Sequence, residues 1–178
     1  MRETRNDDEA REMDNETESA GDVFEMLKTD HRQVQDLFTR FEDADKRTRT
    51  SIAEEALTAL EVHAALEEQL VYPAIAEVIE DEETVNEAKE EHHVAKLIIK
   101  ELHKMDAGDE AFATKFKVLG ELVSHHIEEE EGEIFPQAQE GGFDPESLGE
   151  EVSKRKAKLM QKYQGGKKST ASRRKKAA

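Results

Sequence analysis

Apolar side chains recur at intervals of three and four residues along most of the chain, beginning at Val23. This spacing places them on one face of an α-helix, and no segment alternates apolar and polar residues as a β-strand does. The pattern predicts four long helices, over residues 23–41, 51–80, 84–105 and 110–139. Asp144-Pro145 predicts the start of a short fifth helix, because an N-cap residue is followed by proline at the first helical position.

Short polar connections separate the four long helices, which favours antiparallel neighbours. The chain is therefore predicted to be all-α, with an up-down-up-down antiparallel four-helix bundle over residues 21–140 and the short C-terminal helix over residues 141–164. Pro73 is expected to bend or loosen the second helix. The acidic segment 1–20 and the basic segment 165–178 contain few apolar residues, and both are predicted to be disordered tails.

The second and fourth helices carry the same chemical pattern, shifted by 63 positions. In each helix a histidine is followed four positions later by a glutamate and then by an aromatic-proline pair: His63, Glu67 and Tyr72-Pro73, then His126, Glu130 and Phe135-Pro136. Residues four apart lie one turn above each other on the same helix face. We interpret the two aromatic residues as packing anchors that close one end of the bundle.

The first and third helices complete the repeat. Asp30-His31 and Glu91-His92 are followed by apolar residues at the same offsets, with a shift of 61 positions. The repeat also separates candidate ligands from their neighbours, because His93 shares its face with lysines and His125 has no counterpart in the first half. His93 is therefore expected to point to solvent, and His93, His103 and His125 are interpreted as ordinary histidines that are not metal ligands. The predicted metal ligands are His31, His63, Glu67, His92, His126 and Glu130.

Six ligands are too many for one tetrahedral zinc ion. Four imidazoles and two bridging carboxylates suit two iron ions, with an oxo or hydroxo bridge and an open position, and manganese or zinc are the alternative metals. A lone histidine in an amphipathic helix is more often a core residue, and glutamates on an acidic helix are usually solvated. The matched set argues against that interpretation, because burial without a metal leaves polar groups unpaired at about 1–3 kcal/mol each.

These motifs closely resemble the hemerythrin-like family, also called the HHE cation-binding domain, over residues 22–140. The resemblance implies a four-helix bundle around a non-haem di-iron centre that meets O₂, peroxide or NO. The oxygen carriers of the family place a second histidine four residues after the one that corresponds to His92, and Lys96 stands there in this chain. Their second acidic ligand is an aspartate at a longer spacing. Both departures favour reactivity over reversible O₂ storage.

A ferritin-like di-iron protein is the nearest competing bundle, and it needs two Glu-x-x-His motifs on facing helices. This chain has one, Glu90-x-x-His93, on a lysine-bearing face, so that interpretation is rejected. Two functions stay open. The first is a protein that binds or senses O₂, NO, peroxide or iron. The second is a di-iron enzyme that decomposes peroxide or oxidises another small molecule.

Composition and charge exclude several other classes of protein. The 178 residues carry a net charge of −17 and contain no cysteine, which excludes disulfides, zinc fingers, iron–sulfur clusters and thiol nucleophiles. No membrane span or signal peptide is recognisable, and a cytoplasmic protein is expected. The acidic body opposes binding to nucleic acid or anionic membranes. The basic segment 165–178 is expected to be a solubilising tail, with binding to nucleic acid or an acidic partner as the alternative.

Overall fold

The computed structural model describes residues 21–79 and 82–176, with side chains as far as residue 163. The described residues are mostly helical and contain no β-strand. The helices are α1 (Val23–Asp43), α2 (Lys46–Leu66), α3 (Tyr72–Ala76), α4 (Glu83–Leu102), α5 (Glu110–Glu129), α6 (Phe135–Glu140) and α7 (Gly149–Lys176). In this part of the chain no helix is both long and apolar enough to cross a membrane.

The all-α class predicted from the sequence is confirmed. Helix α1 packs along α2, and α4 packs along α5, so the chain forms two helical hairpins that meet in one bundle. The up-down-up-down order of the helices stays a prediction. The predicted tail over residues 1–20 lies outside the described residues.

Capping side chains set where the first two helices begin. The Asp22 carboxylate accepts hydrogen bonds from the backbone N–H groups of Phe24 and Glu25, at 2.8 and 3.1 Å, as expected for the predicted N-cap. Helix α2 begins at Lys46, earlier than predicted from the apolar spacing. Here Asp45 accepts a hydrogen bond of 2.8 Å from the N–H of Thr48, so a cap starts the helix within a polar stretch.

A π-helical turn precedes each aromatic-proline pair. These turns span Glu67–Val71 and Glu130–Ile134, and each one leads directly into the next short α-helix. Proline lacks an N–H group and its ring collides with the carbonyl four residues earlier. In a π-turn each hydrogen bond spans five residues and not four, and this wider turn makes room for the proline ring. Such π-turns are frequent at functional sites. The loosening expected at Pro73 therefore takes the form of a π-turn that begins at Glu67.

Two buried apolar clusters lie along the bundle, with polar side chains between them. One cluster includes Val34 and Leu60, and the other includes Leu27 and Leu66. Along α1, His31 is placed between Leu27 and Val34, and along α2 a histidine is likewise placed between Leu60 and Leu66. Burial of each such leucine contributes about 1.5–3 kcal/mol, which compensates for the polar layer between the clusters.

The C-terminal helix is longer than predicted. Helix α7 packs along α2 through Val152 and Leu159 in the second apolar cluster, and its helical backbone continues to Lys176. The prediction ended this helix at residue 164, before Gly165-Gly166, and assigned the basic segment beyond to a disordered tail. The structure continues the helical backbone into that segment as far as Lys176, since its Lys, Arg and Ala residues are strong helix formers and no proline interrupts it.

The two halves approach closely where α6 ends. A Cβ atom added to Gly141 would lie 2.4 Å from the carbonyl oxygen of Val78, a backbone atom that cannot rotate away. Val78 is the residue that corresponds to Gly141 in the repeat, so the matched ends of the two hairpins meet here. Only glycine permits this approach without a backbone shift.

The Gly141→Ala variant is expected to lose about 2 kcal/mol of stability, because the added methyl group forces apart two backbone segments. Gly132→Ala is the matched control, since a Cβ atom at that helical position meets nothing within 4 Å. Urea denaturation of both variants measures the difference. An unchanged midpoint for Gly141→Ala would contradict the close approach at this end of the bundle.

Candidate metal centre

Four buried histidines point one ring nitrogen each into the space between the apolar clusters. The Nε2 atoms of His31 and His63 lie 3.1 Å apart, and those of His92 and His126 lie 3.2 Å apart. Each pair joins a residue of one hairpin's first helix to a residue of its second helix. When both nitrogens of such a pair are unprotonated, two lone pairs face each other and a cation is needed between them.

Two glutamates, each fully buried, connect the two histidine pairs. The two carboxylate oxygens of Glu67 lie 2.9 Å from His63 Nε2 and 3.3 Å from His92 Nε2. Glu130 Oε2 lies 3.2 Å from His31 Nε2 and 3.9 Å from His126 Nε2. One carboxylate therefore spans the two pairs from each hairpin.

All six residues proposed from the sequence are brought together. Potential ligand atoms within 4.8 Å of one another form two sets that share Glu67: His31, His63, Glu67 and Glu130, and Glu67, His92 and His126. Their role as ligands stays a prediction, since the proximity by itself does not show a bound ion.

The buried carboxylates lack hydrogen bonds. Within the described part of the chain, none of the four carboxylate oxygens of Glu67 and Glu130 has a hydrogen-bond partner. Their near neighbours are the Nε2 atoms of the four histidines, and buried carboxylates in proteins are normally hydrogen-bonded, paired or bound to a metal. Neutral imidazole nitrogens and carboxylate oxygens together are a donor set that suits iron, manganese and zinc. The residues present therefore fit a pair of such ions.

The other ring nitrogen of each histidine faces an acidic side chain. The Nδ1 atoms lie 2.7, 3.2, 2.9 and 3.8 Å from carboxylate oxygens in the pairs His31–Glu131, His92–Glu68, His126–Glu91 and His63–Asp30. The first three distances allow Nδ1–H to donate a hydrogen bond, while the fourth is an ion-pair distance. A proton held on Nδ1 leaves the Nε2 lone pair free for a metal and makes it a stronger donor.

These outer carboxylates were missed in the sequence, although they follow the repeat. Asp30 and Glu91 have the 61-position shift, and Glu68 and Glu131 have the 63-position shift. Two of the four are paired with lysines. Lys96 forms an ion pair with Glu68, and Lys156 of α7 forms one with Asp30. Lys96 stands where the oxygen carriers of the family have a second histidine. It therefore contacts one of these outer carboxylates.

The buried charges strongly perturb one another's proton affinities. Burial alone lowers the pKa of His63, but the negative charge of Glu67 and the neighbouring Asp30 outweigh it and raise the pKa to about 10. Burial favours the neutral form of Glu67, yet the charge of His63 dominates and holds its pKa well below the usual range. Burial and the Glu67 charge raise the pKa of Glu130. Protons thus occupy this cluster where metal ions are proposed to bind.

The two aromatic residues before the prolines stack on histidine rings. Tyr72 lies 5.6 Å from the His92 ring, and Phe135 lies 6.4 Å from the His31 ring, measured between centroids. Both side chains are almost fully buried, in keeping with the anchors proposed from the sequence. They fix the ring planes of two candidate ligands.

A small cavity adjoins the four histidines. Its volume is about 30 Å³, and most of its other lining residues are apolar: Val34, Leu60, Ala64, Ala95, Ile99, Leu122, Val123 and Ile127. A space of this size holds a water molecule or a molecule of two or three atoms. The histidines outside the cluster do not reach it. His93 and His103 are exposed, and His125 lies at the surface beside Glu129.

An all-helical bundle with histidines and glutamates gathered between two apolar clusters has the architecture of a cation-binding protein. Residues 22–138 match the family described as the hemerythrin HHE cation binding domain. The match covers more than half of the chain, and the chain belongs to this family, as its motifs predicted. Domains of this family bind metal cations, typically iron.

A solved structure has a similar fold. It is the crystal structure of a hemerythrin HHE cation binding domain-containing protein from Mycobacterium kansasii. The TM-score is 0.67 at 22% sequence identity, and the similarity covers 82% of this chain and 89% of the other. At this identity the likeness concerns the fold alone. No curated protein matches the sequence.

Proposed function

We propose that the protein holds two iron ions at the six-residue cluster and uses them to bind or sense a small ligand. The observation that carries the proposal is the bridging arrangement, in which Glu67 and Glu130 each reach both histidine pairs. His31 and His63 would hold one ion, and His92 and His126 the other. Iron in such a site supplies reversible electron transfer and an open position for a ligand.

The cavity beside the histidines restricts what that ligand is. Its volume of about 30 Å³ admits O₂, NO or peroxide and excludes larger organic substrates. Its lining is mostly apolar, and apart from the centre only Asp30, Glu91 and Lys96 bring polar side chains to it. A small, weakly polar molecule therefore fits the site, and iron itself is the other candidate for what the protein senses.

Metal analysis of the purified protein, combined with absorption spectra under air and under nitrogen, tests this proposal. We expect iron as the main metal and near-ultraviolet charge-transfer bands that change when O₂ or NO is added. His63→Ala is expected to abolish these bands, while the exposed His103→Ala leaves them intact. Protein that binds only zinc or manganese, or iron that is indifferent to both gases, would rule the proposal out.

Peroxide decomposition is a second candidate function, favoured by Tyr72. Its hydroxyl group is buried close to the carboxylates of Glu67 and Glu130. Burial and the charges of Glu67 and Glu130 raise its pKa well above the usual value, so the phenol keeps its proton. A protonated phenol beside the centre can donate a hydrogen bond to peroxide while two peroxide molecules are converted to O₂ and two water molecules.

The Tyr72→Phe variant is expected to evolve O₂ from peroxide more slowly, by about tenfold or more, with an unchanged iron content. The removed hydroxyl is the only chemical change, and the ring continues to stack on His92. An oxygen electrode measures the rate, and iron analysis of the same sample provides the control. Equal rates in the two proteins would leave binding or sensing as the function.

Glu131 is expected to strengthen the metal site through His31. Its carboxylate accepts the 2.7 Å hydrogen bond from His31 Nδ1–H, so Glu131→Gln removes a charge that makes Nε2 a better donor. We expect metal affinity to fall by about 10-fold to 100-fold. The matched control is Glu133→Gln, an exposed residue of the same π-turn. Competition with a chromogenic chelator compares the affinities, and equal values would show that His31 needs no such partner.

A further inference from the structure

A third group of potential metal ligands lies at the surface of α5, outside the central cluster. His125 Nε2 lies 3.1 Å from a Glu129 carboxylate oxygen and 3.9 Å from Glu91 Oε1. One potential ligand atom from each of these three residues lies within 4.8 Å of the others. The His125 side chain is 60% exposed, so an ion from solution can reach the group directly.

The repeat shows what occupies the corresponding place in the first hairpin. Glu91 corresponds to Asp30, and each of them faces the Nδ1 atom of a central histidine. On Asp30 the remaining oxygen, Oδ1, is paired with the ammonium group of Lys156 from α7. In that half a cation of the protein therefore sits behind the carboxylate.

Within the side chains that the structure describes, the second hairpin has no such lysine. Among the described residues, no lysine or arginine forms an ion pair with Glu91 or Glu129. The positions that correspond to His125 and Glu129 are Val62 and Leu66, which are buried in the same cluster as residues of α7. In one half α7 covers an apolar face and supplies the positive charge, and in the other an open face carries an imidazole and a second carboxylate.

We propose that Glu91, His125 and Glu129 bind a divalent transition-metal ion at this surface. One borderline nitrogen donor and two carboxylates suit Zn²⁺, Fe²⁺ or Mn²⁺, with solvent completing the coordination. The ion would lie beside Glu91 in the same way that the ammonium group of Lys156 lies beside Asp30. This site shares no ligand residue with the six-residue cluster.

Glu91 connects the surface site to the central cluster. Its Oε2 atom lies 2.9 Å from His126 Nδ1, while its Oε1 atom faces His125. An ion bound to Oε1 draws electron density from the carboxylate and weakens the hydrogen bond that His126 donates to it. Occupancy of the surface site is therefore transmitted to one ligand of the central cluster.

Zinc binding to the purified, metal-containing protein tests the proposal. Equilibrium dialysis against Zn²⁺ is expected to show one ion bound in addition to the metal already present, with that metal retained. His125→Ala and Glu129→Gln are each expected to weaken this binding by at least about tenfold. His93→Ala is the matched control, because it removes an exposed histidine from the adjacent helix α4 and leaves the group intact.

Two results would overturn the proposal. One is equal zinc affinity in His125→Ala and His93→Ala, and the other is release of the original metal in step with zinc uptake, which places zinc in the central cluster. Circular dichroism and the retained metal content establish that the variants are folded. Zinc binding that survives in His63→Ala, with the central metal lost, would separate failure of the proposed central function from failure of this site.

Discussion

Glu67→Gln is expected to be purified with less than about a tenth of the metal found in the unmodified protein. Glu67 reaches both histidine pairs, at 2.9 Å from His63 Nε2 and 3.3 Å from His92 Nε2. The amide is similar in size but carries no negative charge, and its NH₂ group cannot coordinate a cation. One substitution therefore affects both proposed ions, whereas loss of a histidine removes a ligand from one.

Thermal unfolding provides a second measurement of the same variant. An ion present at about a thousand times its dissociation constant stabilises the folded protein by about 4 kcal/mol, which raises the Tm of a chain of this size by about 10 °C. A chelator is expected to remove that increment from the unmodified protein and to leave Glu67→Gln unchanged. Glu55→Gln, at an exposed position of the preceding helix α2, is the matched control and should behave like the unmodified protein.

Full metal content in Glu67→Gln would contradict the bridging arrangement. Loss of about half of the metal would show that Glu67 serves a single ion and that the second is held by His92 and His126 with other ligands. Both outcomes are distinct from misfolding, because the helical circular dichroism signal of the variant reports the bundle independently.

The helices could be predicted because apolar spacing depends only on neighbouring positions in the chain. Predicted and observed starts agree closely for α1, where the Asp22 cap and the apolar pattern coincide, and for α4, which has no capping side chain. They disagree for α2, because the Asp45 cap lies in a stretch without apolar residues. The predicted end of α7 is also wrong, because Gly165-Gly166 was expected to end the helix and the strong helix formers around it continue the helix instead. Apart from Pro73 and Pro136, no feature of the sequence indicated the two π-turns.

The central cluster could be predicted because the chain contains the pattern twice. The shift of 63 positions selected His126 and Glu130 from a run of adjacent histidines and glutamates, and the structure places both within the cluster. The outer carboxylates Asp30 and Glu131 obey the same repeat but were not recognised. On helices this acidic, a glutamate beside a histidine is common, and only the ring orientation shows which carboxylate faces Nδ1. The contact of Lys156 with Asp30 joins distant helices and is not encoded by any local spacing.

After its metal has been removed, the protein is expected to lose stability as the pH rises from about 6.5 to about 10. His63 has a pKa of about 10 in the folded chain, against 6.5 for an ordinary histidine. The folded state thus binds a proton that the unfolded state has released, and this stabilisation is complete below pH 6.5 and disappears as the pH passes the folded pKa. The lowered pKa of Glu67 acts on the acid side, because its contribution is present above pH 4.5 and is lost as the pH falls below that value.

Metal binding is expected to show the opposite trend over the same alkaline range. The ion must displace the proton from His63, so apparent metal affinity rises as the pH approaches 10. Over the same range the folding stability of the metal-free protein falls. Urea denaturation of metal-free protein at pH 6.5 and pH 9.5 should differ by a few kcal/mol, and His63→Gln should remove most of that difference. His103→Gln, at an exposed position, should retain it. Parallel trends for stability and affinity would mean that no shared proton occupies the site, since a single proton that stabilises the metal-free fold must also compete with the metal.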